Sequence, residues 1–213
     1  VTVMVVAVYN HKGGVGKSTL VAHVGFRAME LKKEITVFDS DLQSNTIVWL
    51  TNGQWDNNTT VTRGSVTMTI DTEELKQANY SIIDCPPAIE VVRNYPAVDV
   101  WLVPVNGRFS VAGAMDVIEE VKKYAQSSRI VLVPNMVDVR TSFGQTELEE
   151  IEKLDVELFK YPIPRHDVIG KAEMQCVSAW QIPYGVRSNT ALNLRIFSDW
   201  VLSGCNVKGV YRG

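Results

Sequence analysis

The chain has 213 residues, 46% of them hydrophobic and 21% charged, with a formal net charge of -3. That length suits one well-packed domain spanning 1–213, and the composition excludes a disordered or low-complexity chain. The slight acidity offers no global attraction to nucleic acid or anionic lipid, so binding to either requires a local basic patch.

The opening stretch Val3–Tyr9 is apolar nearly throughout, which predicts a strand buried on both faces. It is short and lacks a basic leader and a small-residue cleavage site, so it does not read as a signal peptide, and no run of about 18 apolar residues predicts a membrane span. The strand runs into "NHKGGVGKST", residues Asn10 to Thr19. A glycine-rich turn that opens a helix aims backbone N–H groups and the positive helix end at concentrated negative charge. The expected chemistry is a nucleotide cradle built from Gly13, Gly14, Val15 and Gly16. In it Lys17 reaches the β- and γ-phosphates, Ser18 ligates Mg2+ and Thr19 bonds the α-phosphate. The ordinary loop reads G-x-x-x-x-G-K-[ST]; here its first glycine is replaced by His11, and a second lysine, Lys12, follows.

A helix starting near Lys17 is expected to present Leu20, Val24 and Leu31 on one face. The strand Ile35–Phe38 ends in "DSD", with Asp39 and Asp41, and Thr51–Ser65 reads as a polar surface connection. Tyr80–Ile83 predicts a strand ending at Asp84, followed by Cys85, Pro86 and Pro87. Val100–Val105 and Ile130–Val133 predict two more buried strands, with a helix between them carrying Val111, Met115, Ile118 and Val121 inward. Asn135 stands just beyond the last of these. Tyr161–Arg187 contains several prolines and has poor periodicity, and a final helix with Leu192, Ile196, Trp200 and Val201 stops at Gly204. Strand and helix alternate, so the fold class is α/β, a mostly parallel twisted sheet covered by helices on both faces, with ligands at the carboxyl ends of the strands. Cys85, Cys176 and Cys205 lack C-x-x-C spacing, which points to a reducing compartment and to buried apolar roles. His11 borders the loop, whereas His23 and His166 read as packing or surface residues.

"KGGVGKST" resembles the deviant Walker A motif of the ParA/MinD ATPases, and Asn10 also fits the ParA branch. "DSDLQSNT" is similar to the family's first switch, D-x-D-P-Q-x-N, keeping Gln43 and Asn45 but carrying Leu42 in place of the proline. "IIDCPP" resembles the Walker B strand and second switch. The resemblance implies a P-loop NTPase fold, ATP and Mg2+ as cofactors, and an ATP-bound homodimer. In that dimer Lys12 reaches the partner's phosphates, a cation supplied in trans to developing charge. By the same resemblance Asp39 binds a water of the Mg2+ shell, Asp41 orients the attacking water and Asp84 holds the shell. Asn135 and Pro164 lie beside the base. The catalytic set is then Lys12, Lys17 and Asp41, and the metal set Ser18, Asp39 and Asp84.

Within the family, a short ParA-type partition or positioning ATPase is the expected branch. It is cytoplasmic, associated with the nucleoid when ATP-bound, slow in turnover and stimulated by a ParB-like adaptor. The chain begins at its first strand, so the helix-turn-helix domain of long ParA forms is not expected. Candidate contacts to nonspecific DNA are Arg165, Lys171, Arg187 and Arg195. A MinD-like membrane ATPase is the alternative, disfavoured because "CNVKGVYRG" after Gly204 offers no amphipathic helix. Electron-transfer iron proteins need two thiolates near the dimer seam, where only Cys85 is expected, and a ligase-like enzyme needs a substrate constellation the sequence does not display.

Overall fold

In a computed structural model of the chain, residues 3–41, 43–55, 59–88, 90–95 and 97–212 are described, with 108 and 109 described by backbone alone. Leu42, the departure in the first switch, lies outside the described residues. Among the described residues nine strands form one sheet: β1 Met4–Val8, β2 Ile35–Asp39, β3 Thr60–Arg63, β4 Val66–Thr69, β5 Tyr80–Asp84, β6 Val100–Val105, β7 Arg129–Pro134, β8 Glu157–Phe159 and β9 Val210–Arg212. Their order is β3-β4-β2-β5-β1-β6-β7-β8-β9. All neighbouring pairs are parallel except β3 with β4 and β8 with β9. The eight α-helices among the described residues are α1 Lys17–Leu31, α2 Asn45–Leu50, α3 Thr72–Gln77, α4 Val91–Asn94, α5 Gly107–Tyr124, α6 Ser142–Glu152, α7 Val168–Met174 and α8 Asn189–Leu202. The mostly parallel α/β architecture expected from the apolar strands is the one observed.

The period of two along each strand divides the core. Val6 and Val8 of β1 and Val131 and Val133 of β7 face a layer made by α1 and α8, with Leu20, Val24, Leu194, Phe197 and Val201. Ala7, Trp101, Val103 and Leu132 face the opposite layer, with Val117, Ile118 and Val121 of α5 and Ile151 of α6. Covered on both sides, these strands need apolar residues at every position, which is why they read as unbroken runs.

Three helical positions expected inside are on the surface: Leu31 is 49% exposed, Met115 50% and Leu192 52%. On α5 the buried stripe is Ala114, Val117, Ile118 and Val121, and Met115 stands about 100° round the helix from Ala114. Leu192 is offset the same way from Ala191, and Leu31 is the last residue of α1, beyond a buried stripe that stops at Ala28. Thr51–Ser65, expected to be a surface connection, contains β3. A two-residue turn at Gly64 and Ser65 returns the chain as β4, pairing Arg63 with Val66 and Thr60 with Thr69. Only three residues, Val61, Val66 and Met68, make its apolar face, which packs on the core; the threonines alternate with them, and Thr60 and Thr69 join hydroxyls at 2.8 Å across the strands.

The irregular Tyr161–Arg187 segment holds α7 and two short 3-10 turns, Ala179–Gln181 and Gly185–Arg187. His23 of α1 anchors it. The ring is fully buried, with Nδ1 2.7 Å from the Thr19 carbonyl and Nε2 3.0 Å from the Ala179 N–H. Trp49 of α2 and Trp180 pack edge-on against it. Nε2 accepts, so the neutral tautomer is required, and burial pushes the ring down to about 4 from an ordinary 6.5. A base with a lowered folded-state value contributes fully above about pH 6.5 and loses that contribution as pH falls towards 4. We expect unfolding free energy to drop by about 3 kcal/mol across this interval from His23 alone. Urea titrations of the wild type and His23→Phe between pH 7 and 4 check this: the variant's stability should lack that component of the slope. Cys85 and Cys205 are buried as expected, while Cys176 is only partly covered.

Candidate nucleotide site

β1 and β6 are neighbours at the middle of the sheet, and the connection from β1 leads to β2 on one side while that from β6 leads to β7 on the other. Such a reversal opens a crevice at the carboxyl ends of the strands. The glycine loop leaves β1 at that point. Asn10, fully buried, pins its start: Nδ2 donates to the Pro104 carbonyl at 2.9 Å and the Ser110 carbonyl at 3.3 Å, and Oδ1 accepts the Lys12 N–H at 2.8 Å. Gly16 has φ of 87°, a left-handed conformation, and caps α1. A Cβ on Gly16 would stand 2.4 Å from Asn135 Nδ2, the same atom that donates to the Val15 carbonyl at 2.7 Å. The loop is therefore held at its entry by Asn10 and at its exit by Asn135.

Lys17 turns its ammonium back into the loop, 3.2 Å from the Lys12 carbonyl and 3.4 Å from that of Asn10. Burial lowers its pKa, and the Asp84 charge opposes that shift. Lys12 itself lies on the exposed wall of the loop. Asp39 and Asp84 end β2 and β5 in direct register, so two buried carboxylates stand side by side. Asp39 accepts backbone N–H groups of Asp41 and Thr46 at 3.1 Å each, yet burial and then the Asp84 charge push it up to about 7. Asp84 is likewise raised by burial, opposed by hydrogen bonds from Thr46 and Ser18. Its Oδ2 accepts Thr46 Oγ1 at 2.6 Å, while Oδ1 is buried with no hydrogen-bond partner among the described residues. Asp41 is half-exposed, and its Oδ1 accepts the Gln43 N–H at 3.0 Å.

A divalent cation fits this group. Two adjacent carboxylates, one orphaned buried oxygen and the Ser18 hydroxyl next to it are hard oxygen donors whose mutual repulsion a cation relieves. No cluster of three or more His, Cys, Asp or Glu able to hold a metal occurs among the described residues. That donor set suits Mg2+, which keeps waters and substrate phosphates in its shell rather than taking an all-protein cage. A cavity of about 180 Å3 adjoins the loop, bounded by Gly14, Thr19, Asn135, Met136 and Pro164. Thr190 Oγ1 bonds the Pro164 carbonyl at 2.9 Å and holds that wall. Arg165, Lys171, Arg187 and Arg195 are all exposed, on α7, α8 and the segments beside them, and Lys171 is paired with Asp167 at 2.5 Å.

Two residues that sequence reasoning did not assign are central here. Asn10 clamps the loop, and Thr46 ties the first switch to the Asp84 carboxylate. Thr46 carries no signal in the sequence, because only the register of β2 against β5 brings its helix over Asp84.

The chain matches the family model described as the CobQ/CobB/MinD/ParA nucleotide binding domain over residues 6–176. None of the curated protein sequences matches it. Among solved structures it is similar to MinD from Pyrococcus horikoshii, complexed with Mg-ADP, at 18% identity and a TM-score of 0.75, covering 97% of this chain and 99% of that one. It is similar to cobyrinic acid a,c-diamide synthase from Mycobacterium smegmatis with bound ADP and magnesium, at 19% identity, 97% coverage of both chains and a TM-score of 0.72. Apo McdA of Cyanothece matches at 13% identity and a TM-score of 0.73, over 92% of this chain and 99% of that one. At such identities these likenesses concern the fold, whereas the family model spans most of the sequence, site loop included. The chain belongs to the CobQ/CobB/MinD/ParA nucleotide-binding family.

Proposed function

We propose that the chain is an ATPase that homodimerises around ATP and Mg2+ and uses that cycle to position DNA or another cargo, in the manner of a short ParA protein. The observation that carries the reading is the division between the two loop lysines: Lys17 is folded into the loop interior, while Lys12 stands on its exposed wall. An interior lysine serves the chain's own phosphates, and an outward one is placed to serve a second copy. Backbone N–H groups of Gly13 to Gly16 receive the phosphates, with Lys17 on the terminal ones and Thr19 on the first. Ser18, Asp39 and Asp84 hold Mg2+ and its waters, which supplies charge neutralisation at the transferring phosphoryl group. Asp41, on the solvent side of Asp39, orients the attacking water, and Lys12 of one copy adds positive charge at the other's nucleotide. Pro164 and Asn135 flank the base. Turnover is slow until an adaptor completes the site.

The DNA-positioning reading is supported by the exposed Arg165, Arg187 and Arg195, cations open to phosphate groups on and before α8. No helix among the described residues is long and apolar enough to cross a membrane. Asp41→Ala is expected to accumulate the ATP dimer, which binds random-sequence duplex DNA with an affinity that falls steeply with salt. Reversing Arg187 and Arg195 together to Glu should remove DNA retention with ATP binding intact. Parallel assays on anionic liposomes provide the opposing arm: liposome binding without DNA binding moves the protein to the membrane branch.

A further inference from the structure

One side of α5 forms the bed on which the Lys12 segment lies. Ser110, Gly113, Asp116 and Glu120 follow one another at spacings of three, three and four residues and so share a helix face. Ser110 receives the Asn10 amide through its carbonyl. Gly113 lets α5 come so close that a Cβ there would stand 2.6 Å from Asn10 Oδ1. The next two residues hold His11, with Nδ1 3.6 Å from Asp116 Oδ2 and Nε2 3.4 Å from Glu120 Oε2. The His11 and Glu120 side chains are mostly buried, at 18% and 15% exposure. On its other side the ring leans against Tyr9 at 5.3 Å, and the Tyr9 hydroxyl donates to the Ala88 carbonyl in the second switch at 2.5 Å. The other charged or titratable groups around this site are Arg93 of α4 and Glu119, Lys123 and Tyr124 of α5. Arg93 is engaged by Glu90 and by Tyr124.

We propose that His11 is a positioning residue for Lys12: gripped by Asp116 and Glu120, it fastens the loop to α5 and so sets where the Lys12 ammonium stands at the dimer seam. This rests on the trans role of Lys12 argued above. The Lys12 backbone is held at its N–H by Asn10 and at its carbonyl by Lys17, so the residue before it is the remaining point at which the loop can shift. The two carboxylates approach the ring at both nitrogens, so the grip fixes the ring's position and orientation together.

The test is dimerisation in the presence of Mg2+ and a nonhydrolysable ATP analogue, followed by sedimentation. It compares the wild type with His11→Gln, His11→Lys, the Asp116→Asn/Glu120→Gln double variant and Lys12→Ala, with nucleotide affinity measured in parallel. The Gln and double variants should dimerise about fivefold to tenfold more weakly than wild type, with nucleotide affinity unchanged. His11→Lys, which still offers a cation to both carboxylates, should restore dimerisation. Gln and double variants that dimerise like wild type, or a His11→Gln protein that loses nucleotide affinity as much as dimerisation, overturn the assignment. If Lys12→Ala dimerises like wild type, the trans reading itself fails. If Lys12→Ala is monomeric while His11→Gln dimerises normally, only the role of His11 fails.

Discussion

Lys12→Ala is expected to leave a protein that binds ATP but neither dimerises around it nor hydrolyses it appreciably. The expected loss in turnover is about a thousandfold or more, the size associated with a cation supplied in trans to phosphoryl transfer. Nucleotide affinity of the monomer should change by no more than about threefold, because the loop's own cation is Lys17 and an exposed charge adds little to a site it does not enter. The contacts that set the Lys12 backbone run through its N–H to Asn10 and its carbonyl to Lys17, and both survive truncation to alanine. Sedimentation with Mg2+ and ATP, together with phosphate release under saturating nucleotide, measures the two effects separately. A variant that still forms an ATP dimer refutes the trans lysine, whatever its turnover.

The second large effect is expected at Gly16. Alanine there must adopt φ of 87°, costing about 1 to 2 kcal/mol for a residue with a Cβ. The added carbon also meets Asn135 Nδ2 at 2.4 Å, so the amide has to leave. Its departure breaks the bond to the Val15 carbonyl and strands a buried donor and acceptor, a further cost of about 1 to 3 kcal/mol. Together these predict a melting temperature lowered by on the order of 10 °C for a chain of this size, and loss of nucleotide binding because the loop's exit is displaced. Gly13→Ala is the control. A Cβ on Gly13 meets nothing within 4 Å, and its backbone is outside the left-handed region. It should melt close to wild type. Equal melting of Gly16→Ala and wild type in differential scanning calorimetry would remove Asn135 from its role as the loop's clamp.

Much of this architecture was legible before any coordinates. Val100–Val105 is fully buried on both faces, and a strand in that position has no alternative to an uninterrupted apolar run, so its boundaries could be read residue for residue. The glycine loop was legible for a related reason: a backbone that must turn sharply, expose its N–H groups and start a helix admits few residues at each step. Asp39 and Asp84 stood out as carboxylates ending apolar strands. The short edge pieces did not. β8 and β9 have three residues each, too few to show a period, and the hairpin β3-β4 offers only Val61, Val66 and Met68 as an apolar face among polar turn residues and threonines. Helix faces were misjudged at Met115 and Leu192 because apolar residues bordering a stripe look like members of it until the neighbouring layer is in place.

Local chemistry and strand endings are properties of short segments, which is why the sequence by itself determined the glycine loop at the end of β1, the buried strands and the α/β class. Contacts between segments far apart in the chain were decided only by the tertiary structure. The parallel register of β2 and β5 set Asp39 beside Asp84 and brought Thr46 onto the latter. The packing of α5 against the loop put Asp116 and Glu120 around a histidine more than 100 residues earlier in the chain. The crossing of β7 behind the loop committed the Asn135 amide to Val15. Each of these depends on distances that no local pattern encodes, since a polar side chain shows its partner only when the sheet has closed around both.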